Sequence, residues 1–406
     1  MSGDKLRRIL FKGDRIIWAV FFIICAISWV EVFSATSRQI SDSGNYWHPI
    51  IKHTAFLLSG IFVVWFMQNL RLHQIKGLTN AFYWVGLIGL IWAQLDPHSR
   101  INGSARWINV FGLFTIQPME FAKMGIIMMV ARILANHQNE YGTEGTALKE
   151  IIKYSILPIL IIFKENLSSA GLIVIAIYMM MYIAKVPWKQ LVTLAGIGLG
   201  SAVLGVTLLL AIPESFADYG DFGSKVITWK HRIMDIGNST PIDPDNYKID
   251  DDQRAHANMA IASSHLLGCG PGNSVQRDNI PHAYSDFIYA IIIEELGLIG
   301  GIFIILLYLT FLYRSGKIAN KSEDAQSAYI AMGIGLIIVL QAMLHMYISV
   351  GDFVTGQPLP LMSQGGTSVI INCIYIGMLL CISRHATKPA AVATETESTN
   401  NQKIIL

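Results

Sequence analysis

The chain has 406 residues, 53% of them hydrophobic and 14% charged; an ordinary soluble domain carries about 25% charged residues. Thirty Lys and Arg against 28 Asp and Glu leave a formal +2, which excludes a nucleic-acid binder that works through bulk charge. Four cysteines (Cys25, Cys269, Cys373, Cys381) without CxxC spacing argue against a disulfide framework or zinc site, and what remains is a polytopic membrane protein.

A membrane-spanning helix needs about 20 predominantly apolar residues. Such runs fall at 16–36, 50–69, 79–96, 118–136, 151–164, 167–185, 189–212, 285–313, 326–350 and 367–385. The predicted fold is an all-α polytopic membrane protein of about ten transmembrane helices. The first run follows a basic tail, 1–15, like the start of a signal peptide. It is longer than a signal-peptide core and has no convincing cleavage site, so it is read as retained. The fifth run is short and carries Pro158, which suggests half of a broken pair with the sixth. Between spans 7 and 8 lies one large loop, 213–284, acidic and containing Gly268-Cys-Gly-Pro-Gly272. Spans 8–10 occupy 285–385, and 386–406, made largely of Thr, Ala, Glu, Ser and Asn, reads as a disordered cytoplasmic tail. With the N-terminus inside, eighteen of the 30 Lys and Arg fall on cytoplasmic segments and five on short outer loops. Both ends are therefore expected in the cytoplasm and 213–284 outside.

Ionisable groups within spans are costly and default to functional candidates. In Gln117-Pro-Met-Glu-Phe-Ala-Lys123, Pro118 suits a helix first turn, and Glu120 and Lys123 share a face at i,i+3. Two readings stand side by side, a structural ion pair locking helices or a charged cavity wall with Lys123 for an anionic ligand. Arg106, in Asn102-Gly-Ser-Ala-Arg-Trp107, reads as an interfacial anchor or as a planar donor fork for phosphate. His282-Ala-Tyr-Ser-Asp286 opens a long apolar helix; Asp there is an ordinary cap or dipole partner, yet it also sits where a general base would act. Glu294 and Glu295 lie two to three turns deeper, and at least one should be buried and paired. Thr355-Gly-Gln-Pro-Leu-Pro-Leu-Met-Ser363-Gln-Gly-Gly366 suggests a re-entrant or broken helix, tolerated at membrane depth where protein buries it or a cavity is lined. From these residues alone, transporter and enzyme both stay open.

Six blocks in order give a resemblance. They are Val32-Phe-Ser-Ala-Thr-Ser37, Ser104-Ala-Arg-Trp-Ile108, Gln117–Lys123, Ala260–Ser274, Ala283–Gly300 and Gly356–Ser368. The chain resembles the SEDS family, the polytopic peptidoglycan glycosyltransferases represented by FtsW, RodA and SpoVE. It departs from the family pattern at Lys164-Glu-Asn-Leu-Ser-Ser169, at Ser264-His265, at Asp252-Gln253 and at Gln364. The first departure puts any role carried over to 164–169 in doubt.

The resemblance implies a reaction. Lipid II presents C1 of MurNAc with undecaprenyl pyrophosphate as leaving group, and the 4-hydroxyl of an acceptor GlcNAc attacks with inversion. Asp286 matches the family's essential carboxylate and is the implied base. Arg106 and Lys123 are the candidates for the donor pyrophosphate, with Glu120 holding Lys123; Gln253, His282 and Ser363 are further candidate substrate contacts. A divalent cation (Mg2+ or Mn2+) is a conceivable partner for the leaving-group charge, although no ligand cluster marks a site. Implied partners are lipid II, a class B penicillin-binding protein supplying transpeptidation, and other divisome proteins, in the cytoplasmic membrane. Overall likeness favours the division branch over the elongation branch. A lipid II flippase and a non-catalytic scaffold are the competing functions.

Overall fold

The computed structural model describes residues 11–36, 47–96, 100–101, 104–105, 107–110, 114–140, 142–218, 220–234, 253–280, 283–350 and 357–386. They form twelve α-helices: α1 (Arg15–Ala35), α2 (Trp47–Gln68), α3 (Leu72–Leu95), α4 (Pro118–Asn136), α5 (Thr146–Glu165), α6 (Leu167–Ile183), α7 (Trp188–Ala211), α8 (Gly220–Met234), α9 (Gln253–Ser263), α10 (Ile288–Lys321), α11 (Ala325–Val350) and α12 (Gly366–Ala386). Ten sit at the expected spans; α8 and α9 lie within 213–284. Short antiparallel hairpins, β1–β2 (Arg100–Ile101, Ser104–Ala105) and β3–β4 (Ile108–Val110, Phe114–Ile116), join α3 to α4, and β5–β6 (Gln138–Asn139, Gly142–Thr143) joins α4 to α5.

Seven helices, α1, α2, α3, α7, α10, α11 and α12, are long and apolar enough to cross a membrane by themselves. The other three fall short for readable reasons. Charged side chains interrupt α4 (Glu120, Lys123, Arg132) and α5 (Lys149, Glu150, Lys153, Lys164, Glu165), and α6 has 17 residues. Burial resolves the apparent conflict for α4, which is enclosed along nearly its whole length by α3, α5, α6, α11 and α12. A charge inside a bundle faces protein rather than lipid. The bundle periphery is the converse: Leu58, Phe62, Trp92, Leu95, Leu199 and Val203 stand more than half exposed, a lipid-facing surface that a water-soluble chain would hide. The suspected broken pair is real as a junction. Helix α5 runs through Pro158 and stops at extended Asn166, whose side chain accepts the Ser169 N–H at 3.1 Å and starts α6.

The eighth span differs from expectation. Helix α10 is broken at Gly297 (φ 73°, ψ 179°), and residues 265–270 fill the break. The Cys269 and Gly270 amides donate to the carbonyls of Glu294 (3.0 Å) and Glu295 (2.9 Å), while the Leu298 and Ile299 amides donate to those of His265 (3.2 Å) and Leu266 (3.3 Å). Each helix half thereby finds partners for end groups that a break would orphan. Glycine is required on both sides. A Cβ on Gly297 would lie 2.3 Å from the Leu266 oxygen, and one on Gly268 (φ +73°) 2.3 Å from the Glu295 oxygen. The second half, 298–321, is about 36 Å long by helical rise and is sufficient for a membrane crossing alone. The first half is thus a separate short arm with Asp286 just before its start. Gly297→Ala is expected to destabilise the fold by about 3 kcal/mol through left-handed strain and the clash. Gly198→Ala, on a helical position with open space around it, should be neutral; unfolding midpoints of the purified proteins in detergent compare the two.

Candidate functional site

Asp286 sits on a tight turn, 283–287, braced from two sides. Helix α9 packs Ala257 and Ile261 against Ile280, Ala283, Phe287, Ala290 and Ile291, a small core separate from the main one. The segment 357–365 approaches from the other side: the Gln364 N–H donates to the Tyr284 carbonyl at 3.0 Å, and the Ser363 hydroxyl donates to the Ser285 carbonyl at 2.8 Å. The Ser285 hydroxyl then donates to Asp286 Oδ1 at 3.0 Å. The cap position of α10 falls to Phe287 and carries no side-chain cap bond, so capping does not account for the half-buried Asp286. Burial, and then the neighbouring Asp286 charge, push the Tyr284 phenol upward.

The 357–365 segment is the expected non-helical backbone, and it is buried in protein. Side chains from three helices satisfy its carbonyls. Gln341 Nε2 donates to Pro358 (3.0 Å) and His345 Nδ1 to Gln357 (2.6 Å), both from α11; Tyr308 of α10 donates to Pro360 (2.5 Å) and Ser28 of α1 to Met362 (3.0 Å). Ser363 also accepts the Leu359 N–H at 2.7 Å. Its hydroxyl therefore helps to shape the turn. Ser363→Ala leaves a buried N–H without an acceptor and is expected to cost about 1–3 kcal/mol, read as a lowered unfolding midpoint together with a lowered turnover.

Glu120 and Lys123 pair as anticipated, Lys123 Nζ lying 2.7 Å from Glu120 Oε1. Their side chains are 2% and 1% exposed, so Lys123 is sealed rather than presented to a ligand. That ion contact lacks hydrogen-bond alignment at Oε1, but the Lys123 ammonium also donates to Gln341 Oε1 at 2.9 Å. Gln341 in turn holds the Pro358 carbonyl, so polar contacts run from Glu120 through Lys123 and Gln341 to the segment that braces the Asp286 turn. Sequence reasoning missed Gln341. A signal existed, since Gln341, His345 and Ser349 recur every fourth residue on apolar α11 and all three are buried.

Glu294 and Glu295 are both buried. Glu294 accepts the Val275 (3.0 Å) and Gln276 (3.4 Å) amides and the Ser274 hydroxyl; Glu295 accepts the Gly272 (3.0 Å) and Ser274 (3.4 Å) amides and the Ser34 hydroxyl, with Arg277 at 3.7 Å. They clamp the glycine-rich loop to the helix break. Gln253 opens α9 and is half-buried. Arg106 and His282 lie outside the described residues. The divergent 164–169 segment is the α5–α6 junction: Lys164 donates to Gln94 Oε1 and Gln94 to Glu165, each at 2.9 Å. Among the described residues no group of three or more His, Cys, Asp or Glu side chains converges on a metal position.

Comparison with known proteins bears on this arrangement. The chain is 28% identical over 382 residues to the probable peptidoglycan glycosyltransferase FtsW of Halomonas elongata, covering 91% of each. It is 30% identical over 360 residues to the protein of that name from Hydrogenovibrio crunogenus, covering 86% of each. Among solved structures, a chain of a peptidoglycan synthase complex that coordinates polymerization and crosslinking superposes with TM-score 0.69 at 19% identity, covering 93% of this chain and 99% of that one. Thermus thermophilus RodA gives 0.64 at 19% identity, with 93% and 98% covered. These two support the fold. The model of the cell cycle protein family of FtsW, RodA and SpoVE matches residues 14–388, from the cap of α1 to beyond the end of α12, and the chain belongs to that family.

Proposed function

We propose that this chain is a peptidoglycan glycosyltransferase of septal wall synthesis that polymerises lipid II on the outer face of the cytoplasmic membrane. The observation that carries the reading is Asp286, a carboxylate on a braced turn that does not serve as the helix cap. Family membership and the names of the relatives support the chemistry.

In the proposed step the acceptor 4-hydroxyl attacks C1 of the donor MurNAc from the face opposite the pyrophosphate. The O4–C1 bond forms and the C1–O bond to pyrophosphate breaks. The hydroxyl proton passes to Asp286, and undecaprenyl pyrophosphate departs with the bonding pair. A base positioned on the attacking hydroxyl is worth about 10²- to 10⁴-fold. Arg106 is the candidate to take up leaving-group charge. Lys123 is committed to Glu120 and Gln341, so its contribution in this conformation is positional.

In this reading both termini lie in the cytoplasm and the Asp286 end of α10 outside, which the count of eighteen cations against five supports. A class B penicillin-binding protein is the proposed partner, joining the strands that this chain makes. The test is polymerisation of labelled lipid II in liposomes by the purified chain with its cognate penicillin-binding protein. Glycan ladders that require this chain support the enzyme. Lipid II crossing the bilayer without any polymer replaces it with the flippase.

A further inference from the structure

The far ends of α1, α10 and α12, opposite the Asp286 turn, enclose a cavity of about 350 Å³. Arg15, Arg314, Lys317 and Lys321 line it together with one carboxylate, Asp14. Asp14 is committed twice over, to an ion pair with Arg314 and to capping α1 at the Ile16 and Ile17 amides. Arg15, Lys317 and Lys321 make no ion pair among the described residues, and Arg314 keeps a buried Nε–H without an acceptor. The cavity thus holds an excess of unsatisfied positive charge and donors.

Basic residues in the last turn of a helix also complement its dipole, and cations on one membrane face set orientation. Neither effect calls for a recess, and here one is built. The chain before α1 forms a hook: the Lys12 amide donates to Gln68 Oε1 (3.0 Å), its ammonium to Asn69 Oδ1 (2.7 Å), and Trp18 Nε1 to the Lys12 carbonyl (3.0 Å). Gly13 closes the floor. It takes φ +87°, and a Cβ there would lie 2.6 Å from the Leu380 carbonyl oxygen of α12. The recess lies at the ends of three helices long and apolar enough to cross a membrane, α1, α10 and α12, which is the depth of lipid headgroups. One to two turns further into the membrane, Leu306 and Leu309 of α10 stand exposed, an apolar surface suited to acyl chains.

We propose that this recess binds the headgroup of an anionic phospholipid, its phosphodiester lying among Arg15, Arg314, Lys317 and Lys321. Basic pockets between transmembrane helices take such headgroups, and a zwitterionic headgroup would bring an ammonium into a site already short of anions. The site is independent of the glycosyltransferase reading.

The test uses the purified full chain in nanodiscs of phosphatidylcholine with and without phosphatidylglycerol, read by native mass spectrometry and by unfolding midpoint. Wild type should retain phosphatidylglycerol through delipidation and unfold at higher temperature in its presence. Lys317→Gln/Lys321→Gln should weaken retention roughly thirty-fold, at the usual increment per basic residue, and lose the shift. Lys317→Arg/Lys321→Arg should keep both, and Arg15→Gln, on a different helix, should weaken retention about five-fold. Equal retention and equal shift in wild type and the Gln double variant would overturn the site and leave the cations as orientation signals. An equal shift from inorganic phosphate in phosphatidylcholine nanodiscs would overturn the lipid as its source.

Discussion

Asp286→Asn is expected to lower lipid II polymerisation by about 10²- to 10⁴-fold with little change in the fold. The amide keeps size and polarity and can still accept the bond that Ser285 donates at 3.0 Å. The braces on the turn run through backbone groups, namely the carbonyls of Tyr284 and Ser285 held by Gln364 and Ser363, which the substitution does not touch. The unfolding midpoint and co-purification with the penicillin-binding partner should therefore match wild type. Asp286→Glu keeps the base but displaces it by one methylene, and a misplacement of about 1 Å costs on the order of 10²-fold. Glu is expected to fall between wild type and Asn. An Asn variant that makes glycan strands within ten-fold of the wild-type rate would remove Asp286 as the base.

Much of this fold could be read along the chain because lipid demands long apolar runs, and hydropathy reports them directly. Where the reading stopped, the cause was a contact distant in sequence. Gly297 follows Glu294-Glu295-Leu296 in an otherwise apolar run and resembles a tolerated helix glycine. Its break exists because the loop at 265–270 supplies both sets of missing hydrogen bonds, and no local pattern announces that. The Glu120–Lys123 pair was legible as an i,i+3 spacing; its tie to Gln341, 218 residues away, was not. From the residues Asp286 was legible as a cap or as a base at the outer boundary, and the resemblance tipped the balance to the catalytic reading. The structure withdraws the cap by giving that position to Phe287. The local bonds of Ser363, which accepts from Leu359 and donates to Ser285, were not legible either, because their partners are set by the fold of the segment.

The second large effect is expected at the buried ion pair. Lys123→Met leaves Glu120, 2% exposed, as a lone buried carboxylate, and breaking such a pair from one side costs about 3–5 kcal/mol. Glu120→Gln/Lys123→Met removes both charges at similar volume and is expected to regain stability to within about 1 kcal/mol of wild type. Unfolding midpoints of the two single variants and the double variant form the cycle. Turnover should not follow stability back. Without Lys123, Gln341 Oε1 loses its donor, and Gln341 is what holds the Pro358 carbonyl at 3.0 Å in the segment that braces the Asp286 turn. The double variant is therefore expected to be stable and at least about ten-fold slow, in keeping with the sensitivity of rate to small displacements of a catalytic group. Full recovery of rate would reduce the pair to a lock between α4 and α11. Gln341→Leu then tests that path, because it keeps the Lys123 ammonium and removes both the bond from it and the bond to the Pro358 carbonyl. A slow Gln341→Leu enzyme follows if Lys123 acts through the segment at 357–365, whereas a normal rate would return Lys123 to the leaving pyrophosphate.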